Sequence, residues 1–306
     1  MTGVRSFLGR RLGRALLSRQ PADSLICVDL SPPEGLGVTV EHARIDLLET
    51  GADKRLLELF RERGVSRVVH CAVAGRSVAD ADSARLDSTG TLSLLAASAA
   101  AGVRQFTLRS FTELYGARPG NATDLGEDTP LRADPGLSWA RGKLDAEAHA
   151  AAFARRYPGM RIGVLRFAPV LGAGAGSLPA RILARRHVPV PRGSNPFVQL
   201  LHPDDASTAL LAAVERGAEG AFNVVPKAPI PWRTAVLLAD RVALPLPSSL
   251  VRVASPMLWG VPGGFVDYLE HACVADGARA RSQLGFAPRY RSRESLAVWL
   301  LGRRSG

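Results

Sequence analysis

Lysine is almost absent from this chain: Lys54, Lys143 and Lys227 are the only three among 306 residues, so nearly all of its 39 basic side chains are arginines. The arginines are scattered from Arg5 to Arg304 beside abundant Ala, Gly and Pro, which reads as GC-rich codon usage more than as a binding stripe. The densest groups (Arg10, Arg11 and Arg14; Arg185 and Arg186; Arg289, Arg291 and Arg293) lack interleaved aromatics except Tyr290, so the net charge of +11 does not by itself predict a nucleic-acid partner. Cysteine is sparse too. Cys27, Cys71 and Cys273 are far apart and form no CxxC pair, which argues against a disulfide framework and a structural zinc, and fits a reducing cytoplasm. No apolar run reaches spanning length, and no charged-then-apolar leader opens the sequence, so no membrane partner is expected.

What is present is the composition of an enzyme-sized globular protein, 46% hydrophobic and 22% charged. Apolar β-branched runs alternate with helical patterns through about residue 225, the order of a parallel sheet with crossover helices. Strands are predicted at 25–30, 43–47, 66–72, 105–110, 161–167 and 221–225, and helices at 8–19, 54–63, 91–101 and 139–157, the last with Ser138 as its cap. The strand runs are nearly all apolar, which predicts cover on both faces. After Val225, prolines at 226, 229, 231, 245, 247, 256 and 262 punctuate short helical pieces, and no further strand is predicted. The division that follows is a dinucleotide-binding unit of 1–171 plus 197–225, and a smaller, mostly helical substrate lobe of 172–196 plus 226–306.

Thr2-Gly3-Val4-Arg5-Ser6-Phe7-Leu8-Gly9 leads into a helix and follows glycine-turn logic. Gly3 permits the tight turn, Ser6 takes the position facing a diphosphate, Gly9 allows close packing, and the helix start at Phe7 and Leu8 offers backbone N–H groups. Ser6 stands where glycine is usual, and its Cβ is expected to crowd the phosphates slightly. Asp29 ends a strand about twenty residues on, where a carboxylate accepts from an adenosine ribose and repels a 2′-phosphate, favouring NAD over NADP. Only Met1 precedes this turn, so the first strand of the sheet is expected to be truncated, through a gene model cut at an alternative start codon or a truncated product. The expected consequence is a gap at the centre of the sheet and poor stability.

These signatures in this order (TGVRSFLG at 2–9, VDL at 28–30, IDL at 45–47, VVHCAVAG at 68–75, DSTGTLSLLAA at 87–97, SFTELYG at 110–116, ARGKLDAE at 140–147, LRFAPVLG at 165–172, LLHPDDA at 200–206 and DGARARSQLGFAPRY at 276–290) resemble the extended short-chain dehydrogenase/reductases, in their NAD-dependent epimerase/dehydratase branch. The resemblance covers almost the whole chain and implies an α/β, Rossmann-type doubly wound parallel sheet. It implies Asp46 and Leu47 as the adenine-edge contact and Cys71, Ala72 and Val73 as a cofactor wall. It also implies Lys143 as the lysine of the nicotinamide ribose, with dimerisation through the helices at 91–101 and 139–157.

The resemblance breaks at the reaction centre. Where the family has a tyrosine base four residues before the lysine stands Trp139, whose indole cannot cycle a proton near neutral pH. The usual Ser or Thr is Phe111, flanked by Ser110 and Thr112; the usual substrate-gripping Asn is Pro169; and Asp87 stands where Asn is common. Thr112 and Glu113 are the remaining candidate catalytic groups, Glu113 as an acid/base, with Tyr115 a distant phenol. His70, His149 and His202 are lone histidines without metal-ligand spacing. Three functions stay open at this point: a NAD-dependent enzyme acting on a nucleotide sugar or related polyol by hydride exchange, with altered or lost catalysis; a non-catalytic dinucleotide-binding scaffold or redox-responsive partner; and an RNA-binding atypical member.

Overall fold

The computed structural model describes residues 1–72, 81–134, 137–172 and 174–304. In chain order its elements are α1 (Phe7–Leu17), β1 (Ile26–Asp29), β2 (Glu41–Arg44), α2 (Ala52–Glu62), β3 (Arg67–His70) and α3 (Ala81–Arg85). A π-helical turn, Leu86–Gly90, joins α3 to α4 (Thr91–Ala100), followed by β4 (Gln105–Phe111), α5 (Ser138–Arg156), β5 (Arg161–Phe167), α6 (Leu178–Leu183), β6 (His187–Pro191) and β7 (Phe197–Val198). The chain then forms α7 (Pro203–Arg216), β8 (Gly220–Val224), β9 (Ile230–Pro231), α8 (Trp232–Leu238), β10 (Val242–Leu246), α9 (Ser248–Leu258), α10 (Asp267–Glu270), α11 (Ala278–Leu284) and α12 (Ser292–Arg304).

The main sheet is parallel, with order β3-β4-β5-β8, beside a parallel β1-β2 pair. Strand alternation sends Phe106, Leu108, Ile162 and Val164 to the face covered by α2, α4 and α5, while Leu165, Phe167, Phe222 and Val224 pack toward α1, α7 and α11. A further core around Trp139, Trp232, Trp259 and Phe265 lies among α6, α8 and α9.

β1 and β3 do not pair with each other directly. Met1 and Thr2 run between them: the Met1 amine donates to the Ile26 carbonyl and its carbonyl accepts from Val28 N, while Thr2 N donates to the Val69 carbonyl and its carbonyl accepts from Cys71 N. Beside these two residues lies a groove of about 380 Å³ whose lining includes Leu25, Ile26, Val28, Phe60, Val68 and Val69 together with Gln20, Asp23, Glu41, Arg63 and Arg67.

Several expectations need correction. The second strand lies at Glu41–Arg44, not at 43–47, because Asp46 Oδ1 accepts from the Leu48 N–H in a side-chain turn that ends the extended run. Its residues are only partly buried, unlike the covered strand expected there. The helix expected to be capped by Ser138 includes that residue, with Leu137 in the cap position. The region after Val225 contains strands after all: β9 pairs antiparallel with β7, and β10 pairs parallel with β6. Val-Ala-Leu-Pro-Leu and His-Val-Pro-Val-Pro carry prolines that argue against a central strand, yet each lies in a two-stranded sheet whose edges need no donor there.

Candidate functional site

The first turn of α1 is built for close approach. Gly3 has φ +66°, and a Cβ on it would lie 2.2 Å from Ala72 N; a Cβ on Gly9 would lie 2.0 Å from the Gly3 carbonyl oxygen. Neither position admits a side chain. Ser6 departs from its sequence expectation: its Oγ accepts from Gly9 N at 3.1 Å and donates to the Cys71 carbonyl at 3.2 Å, so the hydroxyl caps α1 and ties it to β3. The N–H groups of Phe7 and Leu8 belong to the first turn of α1, where a helix has no acceptors of its own.

Over this helix start opens a cleft of about 280 Å³. Among the described residues Arg5, Arg10, Arg109 and Arg181 line it with Phe111, Phe167 and Pro169, and none of the described lining residues is a carboxylate. The wall of this cleft is basic beside the N-terminus of α1. Arg109 was missed by the sequence reading. It lies in the strand QFTLRSF, whose residues are all buried, and it is the one charged residue there.

Asp29 ends β1, half-buried, and its Oδ1 accepts from the Leu30 N–H at 2.9 Å, as an acid capping a strand end does. Leu47 is buried and packs on Gly90. Cys71 is fully buried with its thiol pushed up to about 11 by desolvation, and Ala72 N lies against Gly3. Val73 lies outside the described residues.

The reaction centre shows why neighbouring hydroxyls do not replace Phe111. Alternation along β4 sends Arg109 and Phe111 to the cleft side and Ser110 to the opposite face, where its Oγ donates to Glu147 Oε1 at 2.5 Å. Arg166, the register partner of Ser110 on β5, forks onto the same carboxylate at 2.7 to 3.1 Å. Arg166 also donates to Tyr115 Oη at 2.8 Å, and Tyr115 donates to Asn223 Oδ1 at 2.8 Å. Tyr115 is therefore held in a buried polar network, and burial raises its pKa. It is no substitute phenol for the cleft.

Trp139 and Lys143 stand one helical turn apart on α5. The Trp139 ring meets Phe111 edge-on, with centroids 6.4 Å apart and planes at 82°, and both are buried. Lys143 is fully buried with Nζ 2.6 Å from Asp87 Oδ1 and 5.9 Å from the Phe111 centroid, and it does not line the cleft. Gly142 lets α5 approach this closely, since a Cβ there would lie 2.6 Å from the Ala84 carbonyl oxygen. Asp87 thus holds the ammonium that the resemblance assigned to a ribose.

Thr112 and Glu113 face elsewhere. Both are buried, and they line a separate cavity of about 30 Å³ with Gln199, Trp232, Tyr268 and Cys273. The Thr112 carbonyl accepts from Cys273 Sγ at 3.5 Å and the Glu113 carbonyl from Tyr268 Oη at 2.6 Å. Burial and the Glu113 charge push the Cys273 thiol up. His70 is fully buried with Nδ1 2.6 Å from Thr2 Oγ1, and desolvation with the nearby Lys143 holds it well below its usual value. His202 caps α7, stacks on Tyr290 with centroids 3.8 Å apart, and plays a structural part.

A parallel sheet with a glycine turn and an anion-receiving helix start at its centre defines a dinucleotide-fold protein. The chain belongs to the NAD dependent epimerase/dehydratase family, which it matches over residues 1–225. It is 29% identical over 318 residues to an uncharacterized protein of Mycobacterium tuberculosis, covering 99% of this chain and 83% of that one. It is 33% identical over 242 residues to a 3-diazoavenalumate denitrifying reductase of a Streptomyces species, covering 74% and 76%. Among solved structures it is similar in fold to MoeE5 in complex with UDP-glucuronic acid and NAD, with TM-score 0.76, 23% identity and 100% and 98% of the two chains covered. It is also similar to the dTDP-glucose 4,6-dehydratase DesIV from Streptomyces venezuelae, with TM-score 0.76, 19% identity and 100% and 96% covered.

Proposed function

We propose that this protein binds NAD, with the diphosphate on the first turn of α1 and the adenosine ribose at Asp29, and that the cleft receives a nucleotide sugar or related polyol. The reading includes the division into a dinucleotide unit, 1–171 plus 197–225, and a substrate lobe, 172–196 plus 226–306. Arg5 and Arg10 on the cleft wall, beside the first turn of α1, support an anionic ligand with a diphosphate. Asp29 disfavours a 2′-phosphate by like-charge repulsion. When bound, the nicotinamide supplies hydride acceptance and donation at its ring carbon.

The proton half of that chemistry is altered or lost. One observation carries this: Phe111 and Trp139 fill the hydroxyl and phenol positions with buried aromatic rings, while Asp87 neutralises Lys143. None of these three positions offers the cleft a group that removes a proton from a sugar hydroxyl. Reductive hydride delivery to an electron-poor acceptor needs no such base, and the 33% identity to a named reductase favours that second reading.

The test combines calorimetry with a turnover screen. NAD is expected to bind, nucleotide sugars are expected to show no hydride exchange, and NADH oxidation by electrophilic acceptors separates a reductase from a scaffold. Absence of NAD binding to a folded sample removes the proposal, and wild-type oxidation of a nucleotide-sugar hydroxyl removes its altered-catalysis part.

A further inference from the structure

The helix α9 carries an apolar face that none of the described residues covers. Leu250, Val253, Met257 and Leu258 recur at helical spacing and are 50%, 79%, 84% and 53% exposed, while Val251 and Ser255 on the other side are buried. Scattered exposed apolar residues are ordinary, but a continuous stripe along one helix marks a contact surface.

The surroundings of the stripe are basic. Arg192 donates to the Pro245 carbonyl at 3.2 Å, just ahead of α9, and Arg241 donates to the Leu183 carbonyl at 2.9 Å. Arg185 and Arg186 are exposed where β6 begins, and the Arg186 carbonyl accepts from Val242 N. The carboxylates nearby are Asp240, Asp267 and Glu270; Asp267 pairs with Arg252 at 2.6 Å, and Glu270 accepts from Ser248. Arginine therefore outweighs acid around the stripe, on a chain whose net charge is already +11.

We propose that α9 docks flat on an anionic lipid surface, with its apolar stripe in the acyl boundary and Arg185, Arg186, Arg192 and Arg241 against the headgroups. Amphipathic helices bind interfaces by these two terms together, buried apolar area and attraction to acidic lipid. A second copy of the chain is the weaker occupant, because it would bring an equally basic surface against this one. No helix among the described residues is long and apolar enough to cross a membrane, and docking on one face requires none. This departs from the expectation of no membrane partner, which rested on spanning segments alone. It is independent of what the cleft binds.

Vesicle flotation tests it, using phosphatidylcholine alone and phosphatidylcholine with about one third phosphatidylglycerol. The protein is expected to float with the anionic vesicles only, and to be released as salt rises. Val253→Gln with Met257→Gln is expected to lower partitioning about tenfold or more through lost apolar burial. Arg185→Gln with Arg186→Gln is expected to lower it by a similar factor at low salt, at roughly fivefold per charge. Thermal melts confirm that each variant is folded, and the arginine pair keeps the test open if the helix variant is not. Failure to float with anionic vesicles, or equal flotation with neutral ones, overturns the proposal. So does a solution dimer that the helix variant dissolves, which would assign the face to a second copy.

Discussion

Asp87 and Lys143, at positions where the resemblance places an asparagine and the ribose lysine, form a buried ion pair on which the proposed reading rests. The pair is fully inside the protein, at 2.6 Å, where removing one partner leaves a buried charge uncompensated. Asp87→Leu is expected to destabilise by about 3 to 5 kcal/mol, and Asp87→Leu with Lys143→Met to recover most of that, because it removes both charges. Urea unfolding of the two variants checks it, and equal losses would show that the pair is not coupled. The same pair sets what is needed to rebuild sugar chemistry. Trp139→Tyr alone is expected to leave turnover unchanged, since Phe111 still lacks a hydroxyl and Lys143 stays with Asp87. Adding Phe111→Ser and Asp87→Asn is expected to yield measurable hydride exchange on a nucleotide-sugar panel; activity from the single variant would contradict this account.

His70 offers a pH signature at the same scale. Its folded value is depressed by burial, so the fold holds it neutral while the unfolded chain takes up a proton near ~6.5. Its contribution is present above about 6.5 and is lost as pH falls toward the folded value, at up to ~1.4 kcal/mol per pH unit. Stability measured in urea is expected to decline from pH 7 to 5.5, and less steeply in His70→Gln. An identical slope in the variant would remove His70 as the cause.

At the scale of elements, α1 and α2 were readable from their strong apolar periodicity, α4 and α5 were also placed, α7 was not, and β5 was read to its ends. The second strand was misplaced since the Asp46 turn breaks an apolar run that otherwise reads as extended. Cofactor-turn residues were legible as a pattern, but the partners of Ser6 were not, because Cys71 is 65 positions away. Strand alternation in β4 could be counted from sequence, yet which parity faces the cleft depended on where α1 and α5 lie. The junction of the glycine turn and α1 gives a direct prediction: Gly9→Ala puts a Cβ 2.0 Å from the Gly3 carbonyl. That variant is expected to lose NAD affinity at least tenfold, by calorimetry, as the helix shifts off the turn. Unchanged affinity would mean that the first turn does not hold the diphosphate.

For the whole molecule, the divided sheet is the dominant feature. The groove between β1 and β3 is walled by strand edges, by apolar side chains such as Phe60 and Leu16 and by polar ones such as Gln20 and Arg63, and Met1 and Thr2 are the residues that bond across to its two sides. Four or five β-branched residues added ahead of Met1 would extend Thr2 along that track and pair both edges. Such an extended chain is expected to melt about 5 °C or more above the present one, since each kcal/mol gained moves the midpoint of a large domain by a few degrees. A scanning-calorimetry shift under about 1 °C would show that the groove does not accept a strand.

The strands β1, β3, β4, β5 and β8, the glycine turn, the acid at the end of β1 and Trp139 in place of a tyrosine were set by local composition and spacing, which a linear chain carries openly, whereas β6, β7, β9, β10 and α7 were not read from it. The pairing of Lys143 with Asp87, the diversion of Tyr115 and Ser110 into a buried network, the removal of Glu113 to its own small cavity and the arginine wall of the cleft came only with the fold. Each depends on side chains tens of residues apart meeting in a dry interior, where charge must find a partner and distance along the chain counts for nothing.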